Sequence, residues 1–192
     1  MDNRELILET ALDLFYTRGY DAVGVQEISE RSGVTKPTLY YYFKSKYGLL
    51  EQLLEERGGV LMQRLHEACI YYGDLRNTLI RTADVLVSFA EQEPKFYALF
   101  LTLYHSARGN EAYQAVRPLV LRLQKEVEQI FESAADHLGN MHGRQRQFSL
   151  GFLGLILNYI TMKLEVSKGE AFTVSRKELE SLVHQFMHGI YS

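Results

Sequence analysis

Between Gly19 and Leu50 the chain reads GYDAVGVQEISERSGVTKPTLYYYFKSKYGLL, and few folds accommodate this stretch. Val25 and Ile28 stand at i, i+3 on one face of a short helix over Val25–Arg31. Ser32-Gly33-Val34 follows as a corner, with Gly33 supplying the positive φ that a sharp turn needs. Thr35 is a good N-cap for a second short helix, and Pro37 falls in its first turn, where a missing N–H does no harm. A longer helix begins after the Ser45 cap. TLYYYF is rich in strand formers, but Pro37 and the helical pattern after Ser45 oppose a strand. Two short helices meeting at such a corner make a helix-turn-helix.

In that motif the second helix lies in the major groove of DNA. The whole chain has a formal charge of -3, yet Arg31, Lys36, Lys44 and Lys46 fall in one window that holds no acid. Glu5, Glu9 and Asp13 precede the window, and Glu51, Glu55 and Glu56 follow it. Ordinary solvated lysines would explain the count alone; a small basic face on an acidic chain also suits phosphate binding at one surface. Helical phase sharpens the second reading. Leu39 and Phe43 share an inner face, Pro37, Thr38, Tyr41 and Lys44 point outward, and Tyr40 and Tyr42 lie at the edges. A tyrosine can pack on sugar and donate its hydroxyl to phosphate.

This segment resembles the DNA-binding domain of the tetracycline-repressor (TetR) family. The matching residues are Ala11, Leu14-Phe15, Gly19-Tyr20, Val25, Glu27-Ile28, Ser32-Gly33-Val34, Lys36, Thr38-Leu39-Tyr40, Tyr42-Phe43, Ser45-Lys46 and Leu49-Leu50. They cover roughly the first quarter of the chain. The resemblance implies a three-helix DNA-binding head, a helical regulatory domain, and a homodimer that releases its operator when a small molecule binds. It assigns DNA contacts to Lys36, Pro37, Thr38, Tyr40 and Tyr41, and a phosphate contact to Lys46. Position 24 caps the second helix and in the family usually carries Ser or Thr. Here it is Gly24, which offers no hydroxyl and leaves only a backbone N–H for phosphate.

The remainder fits an all-α chain of about nine helices. Only three prolines occur, and 46% hydrophobic content is ample for a packed core. Helices are expected over Arg4–Thr17, Leu75–Gln92 behind an Asp74 cap, Lys95–His105, Glu111–His137, Arg144–Ser167 and Arg176–Ile190 behind a Ser175 cap. The helix after Ser45 should reach about Tyr72, interrupted at Gly58-Gly59, either a hinge or a site of close packing. The expected domains are a DNA-binding head over 1–46 and a regulatory and dimerisation domain over 47–192. The lone Cys69 excludes an internal disulfide and fits a reducing cytoplasm, and MDNRELILET is no signal peptide. The apolar run from Phe148 to Met162 is shorter than a membrane span and reads as a buried helix.

The last two helices carry more apolar surface than one small domain covers, so self-association is expected, through Gly151, Leu155, Leu182, Phe186 and Ile190. Met62, His66, Phe96, Phe100, Tyr104, Phe152 and Tyr159 are candidates for an apolar pocket with a few polar tips, although each alone is ordinary core. The effector would be an apolar or aromatic small molecule. Glu180, His184 and His188 share a helix face at metal-like spacing, but nothing elsewhere matches them; they read as exposed polar residues, as do His137 and His142. No metal, no cofactor, no membrane and no catalytic residues are expected. The sequence therefore describes a cytoplasmic, dimeric DNA-binding regulator, most simply a repressor, with double-stranded DNA and a small effector as partners. The alternatives are an effector-independent architectural DNA-binding protein and a metal-dependent enzyme on a helical scaffold.

Overall fold

The computed structural model describes residues 2–139, 141, 143–167 and 171–189. Its elements are α1 (Asn3–Arg18), α2 (Val25–Ser32), α3 (Lys36–Phe43), α4 (Lys46–Cys69), α5 (Leu75–Gln92), α6 (Pro94–Tyr104), α7 (Glu111–Ser133), α8 (Gln145–Val166) and α9 (Arg176–His188), with a 3-10 turn over Ala135–His137. No strand occurs among the described residues. The all-α expectation holds, and helix ends fall close to their expected places. α4 ends at Cys69 rather than near Tyr72, and α7 gives way to the 3-10 turn before His137.

By packing, the chain divides into two compact units, Met1–Gly59 with Lys95–Val120, and Val60–Pro94 with Leu121–Ser192. In the first unit α1, α2 and α3 pack on one another around Ile7, Ala11, Phe15, Ile28, Leu39 and Phe43, all nearly or fully buried. Two ion pairs, Arg4–Glu56 and Arg57–Glu9, clamp α1 along α4. The α1–α2 turn is tied to the start of α7. Tyr20 Oη donates to Glu111 Oε2 at 2.9 Å, and Asn110 Nδ2 donates to Asp21 Oδ2 at 2.6 Å. Burial and the Glu111 carboxylate push the Tyr20 phenol above its ordinary pKa.

The glycine pair in α4 does not break the helix, which runs unbroken over Lys46–Cys69. The two glycines differ. A Cβ on Gly58 would meet Leu119 Cδ2 of α7 at 2.6 Å, so this glycine admits a close approach; a Cβ on Gly59 would meet nothing within 4 Å.

In the second unit α5, α8 and α9 pack together. Leu79, Ala83, Leu86, Phe152, Ile156, Ile160, Leu179 and Val183 of these helices are buried. Ser175 and Glu178 close α9 with a reciprocal capping box. The same Glu178 accepts from Tyr159 Oη (2.8 Å) and Lys163 Nζ (2.7 Å), tying α8 to α9. Lys163, Ser175 and Tyr159 together hold its carboxyl well below the usual range, at about 2. Burial pushes the Cys69 thiol up to about 12.

α8 departs from expectation. It is long and apolar enough, by length and composition, to cross a membrane, but only 28% of its most apolar window is buried in this structure. Leu150, Gly154, Asn158, Met162 and Val166 are exposed along one i±4 row. A buried helix was expected over Phe148–Met162; α8 is buried on one side only.

Candidate nucleic-acid interface

The corner between α2 and α3 is built locally. Gly33 takes φ 67° and ends α2 in the left-handed region. Thr35 Oγ1 accepts the Thr38 N–H at 3.3 Å and starts α3, with Pro37 in its first turn. The buried hydroxyls of Ser29 and Ser32 donate to the Val25 carbonyl (2.9 Å) and the Ile28 carbonyl (2.7 Å), so neither costs the helix contact an unsatisfied group.

With Leu39 and Phe43 driven inward, the opposite face of α3 is free. Phe43 is 1% exposed, whereas Tyr40 is 45% and Tyr41 73% exposed. Lys36 and Pro37 are exposed and Thr38 is half-buried. The sequence thus places Lys36, Pro37, Thr38, Tyr40 and Tyr41 on one helix, and the structure leaves four of these five exposed. Gly24 is exposed and extended at the start of α2, with no side-chain cap.

Charge pairing separates this face from its surroundings. Arg4, Arg18, Arg57 and Lys95 of the same unit are each paired with a carboxylate: Glu56, Glu27, Glu9 and Asp13. Arg31, Lys36 and Lys44 form no ion pair among the described residues. Lys46 is placed differently from the other cations of the window. Its Nζ donates to the carbonyls of Tyr20 and Val23, each at 3.1 Å, and lies 4.1 Å from the Tyr20 ring centroid. Most of its bonding capacity holds the α1–α2 turn, a contact across more than twenty residues that no local pattern signals.

The residues expected to line an effector pocket fall in both units. In the first unit Phe96 and Phe100 are buried, and Tyr104 is half-buried, stacked 6.1 Å from Tyr113. In the second unit Met62 and Phe152 are buried. His66 is exposed, its Nδ1 3.0 Å from Glu126 Oε2, and the Tyr159 hydroxyl is engaged by Glu178. A surface groove of about 340 Å³ between α7 and α8 is lined by Leu121, Lys125, Glu128, Arg146 and Leu150 among others, and contains none of these residues.

Of the residues expected at a subunit interface, Leu155 and Leu182 are half-buried, and Ile190 lies outside the described residues. Phe186 packs on its own chain, with ring centroids 6.1 Å from Phe131, 6.4 Å from Phe148 and 5.5 Å from Phe152. Gly151 is exposed, and a Cβ there would touch Phe186 at 3.6 Å, so its missing side chain also makes room within the chain. On α8 the exposed large apolar residues are instead Leu150, Met162 and Val166, which the sequence reading missed; their spacing of four or multiples of four was the signal available.

Residues 7–53 match the family described as bacterial regulatory proteins, tetR family. The chain is 33% identical over 98 residues to the transcriptional activator FasR of Mycolicibacterium smegmatis, a match covering 51% of this chain and 45% of FasR. It is 25% identical over 192 residues to the helix-turn-helix regulator YvkB of Bacillus subtilis, covering 96% of this chain and 95% of YvkB. In fold it is similar to the transcriptional regulator FadR of Bacillus subtilis, solved in complex with stearoyl-CoA. That likeness has a TM-score of 0.79 at 19% identity, over 97% of this chain and 99% of that one. The helix-turn-helix geometry, the exposed tyrosines and these matches agree: residues 7–53 are a DNA-binding segment of the tetR family of bacterial regulatory proteins.

Proposed function

We propose that this protein binds a palindromic DNA operator as a homodimer, represses transcription there, and is released by a small apolar effector. The observation that carries the DNA reading is the outer face of α3, where Lys36, Tyr40 and Tyr41 are exposed beside cations without ion-pair partners. Residues 1–46 act as the head and 47–192 as the regulatory part. Lys36, Pro37, Thr38, Tyr40 and Tyr41 contact DNA, with phosphate at the Gly24 N–H end of α2. Lys46 keeps one of its three N–H donors for phosphate after serving the two carbonyls. The two heads read half-sites one helical turn apart or more.

The second copy covers the exposed row of α8, where Gly154 admits a close helix crossing and Asn158 sits mid-row. Leu155 and Leu182 flank it, with Phe186 behind. A fatty acyl-CoA is the effector class we favour, by analogy with the stearoyl-CoA bound to Bacillus subtilis FadR. It would act by favouring a dimer geometry whose heads no longer match the half-sites. A function in transcription places the protein in the cytoplasm.

Selection of bound sequences from random duplexes tests the first part: a two-fold symmetric motif supports it, and no enrichment refutes it. Adding stearoyl-CoA to the selected complex tests the second. Release supports an acyl-CoA effector, and undiminished binding at saturating stearoyl-CoA excludes that ligand while leaving the DNA reading intact.

A further inference from the structure

Five glycines of the described chain take positive φ: Gly19, Gly33, Gly73, Gly143 and Gly189. Lys44 is the sole residue of another type to do so, at φ 64°, ψ -37°, immediately after the recognition helix. Its N–H donates to the Tyr40 carbonyl at 3.0 Å and closes α3, and the Ser45 N–H donates to the Phe43 carbonyl at 2.7 Å. Phe43, Lys44 and Ser45 therefore make a γ-turn of the positive-φ form, which is rare and strained for a residue bearing a Cβ. Glycine would take this conformation without strain, as it takes positive φ at five other positions among the described residues.

We infer that Lys44 is a further phosphate contact of the DNA-binding face, and that the strained turn is retained because it presents this lysine. The inference rests on the DNA reading above and adds a residue to it. Strain of this kind persists where the side chain does something glycine cannot. The Lys44 side chain is exposed and forms no ion pair among the described residues. Its Nζ donates to the Tyr41 carbonyl at 3.2 Å and lies 5.9 Å from the ring centroid of Tyr41, itself on the outer face of α3. The ammonium thus rides at the C-terminal end of the same exposed surface as Tyr41. Lys46, two residues on, turns the other way and binds the carbonyls of Tyr20 and Val23. Geometry divides the two lysines: Lys46 spends two of its three donors holding the head together, whereas Lys44 spends one on its own helix and keeps two for a phosphate.

A lysine at a helix C-terminus can also be there to satisfy the last carbonyls and the helix dipole. The two roles differ in what they move. The probe is a fluorescein-labelled duplex of random sequence, because its binding is governed by phosphate contacts and needs no operator. Affinity is measured against salt for the full-length protein and for Lys44→Ala, Lys44→Gly, Lys44→Arg, Lys36→Ala and Lys95→Ala, with thermal melting of each. Each lost phosphate contact lowers the slope of log K against log salt by about 0.9 per protomer. Lys44→Ala and Lys44→Gly should both show that loss, as Lys36→Ala does, while Lys44→Arg and Lys95→Ala keep the slope. Lys44→Gly should melt above Lys44→Ala, because glycine releases the strain. A slope unchanged by Lys44→Ala and Lys44→Gly overturns the inference, and melting of Lys44→Ala below wild type with Lys44→Arg unchanged then shows a helix-capping role. Lys44→Gly melting no higher than Lys44→Ala refutes the strain argument. A wild-type protein without salt-dependent duplex binding would remove the DNA reading itself, an outcome distinct from a failure at Lys44.

Discussion

Gly48 sits in the first turn of α4, and a Cβ there would lie 2.3 Å from the Phe43 carbonyl oxygen. That oxygen is the acceptor of the γ-turn that links recognition helix to α4, receiving the Ser45 N–H at 2.7 Å. A backbone oxygen cannot rotate aside as a side chain can. Gly48→Ala must therefore open the turn or push the start of α4 away from α3. Overpacking of this kind costs about 1–3 kcal/mol, against a gain of about 1 kcal/mol from replacing glycine by alanine within a helix. The net expectation is a loss of up to about 2 kcal/mol, or up to several degrees of melting temperature for a chain of this size.

The two other glycines of α4 calibrate this. Gly59→Ala meets nothing within 4 Å and should gain about 1 kcal/mol. Gly58→Ala would press on Leu119, whose terminal methyls can shift at some expense because the side chain is buried, so it should fall between the two. Urea denaturation of the three variants is the assay, and the expected order of stability is Gly59→Ala, then wild type and Gly58→Ala, then Gly48→Ala. Because the Phe43 end of the recognition helix moves with the turn, Gly48→Ala should also weaken duplex binding under conditions where it remains folded. A Gly48→Ala protein as stable as wild type would refute the steric argument.

Phe43→Ala should cost roughly 3–5 kcal/mol by denaturation, whereas Tyr41→Ala should leave stability nearly unchanged and lower DNA affinity; equal losses of stability would contradict the phase of α3. The Glu178 carboxyl is depressed to about 2 in the fold, so its contribution is full above the ordinary carboxylate pKa and disappears as pH falls through about 2. Glu178→Gln should therefore melt lower at neutral pH and show a smaller decline between about pH 4.5 and 2, and parallel pH profiles would refute this. Cys69 is buried with its thiol raised to about 12, so the native protein should resist a thiol reagent at pH 8 and react once unfolded. Met162 is 57% exposed on α8, so Met162→Lys should leave the fold intact and yield monomers in sedimentation, while Phe186→Glu should destabilise the chain itself; a dimeric Met162→Lys protein would move the interface elsewhere.

Elements with a cap and a clear period were legible. Asp74 and Ser175 start α5 and α9 where the sequence places them, and both side chains accept the expected backbone N–H. Gly58-Gly59 misled because propensity is a local quantity. Two glycines weaken a helix by about 2 kcal/mol, and the burial of Leu53, Leu54, Leu61, Met62 and Leu65 along α4 outweighs that. Pro118 lies within α7, which passes through it unbroken. The end of α7 carries no signal, since Ala134 and Ala135 are good helix formers, yet the helix stops at Ser133.

At the DNA face the same division holds residue by residue. The outward turn of Tyr41 and the inward turn of Phe43 follow from helical period alone, so composition and spacing suffice. The direction of Lys46 does not, because it is set by carbonyls of a turn more than twenty residues earlier. Nor does the backbone of Lys44, since lysine is no signature of positive φ; the hydrogen bonds from Lys44 to Tyr40 and from Ser45 to Phe43 close the turn, and Gly48 leaves it room. A basic window in a sequence therefore counts charges without assigning them. How many donors Lys36, Lys44 and Lys46 each have left for a phosphate depends on what the fold has already engaged. In this head Lys46 gives two of its three donors to carbonyls and Lys44 gives one, and Lys36 and Lys44 flank the exposed tyrosines of α3.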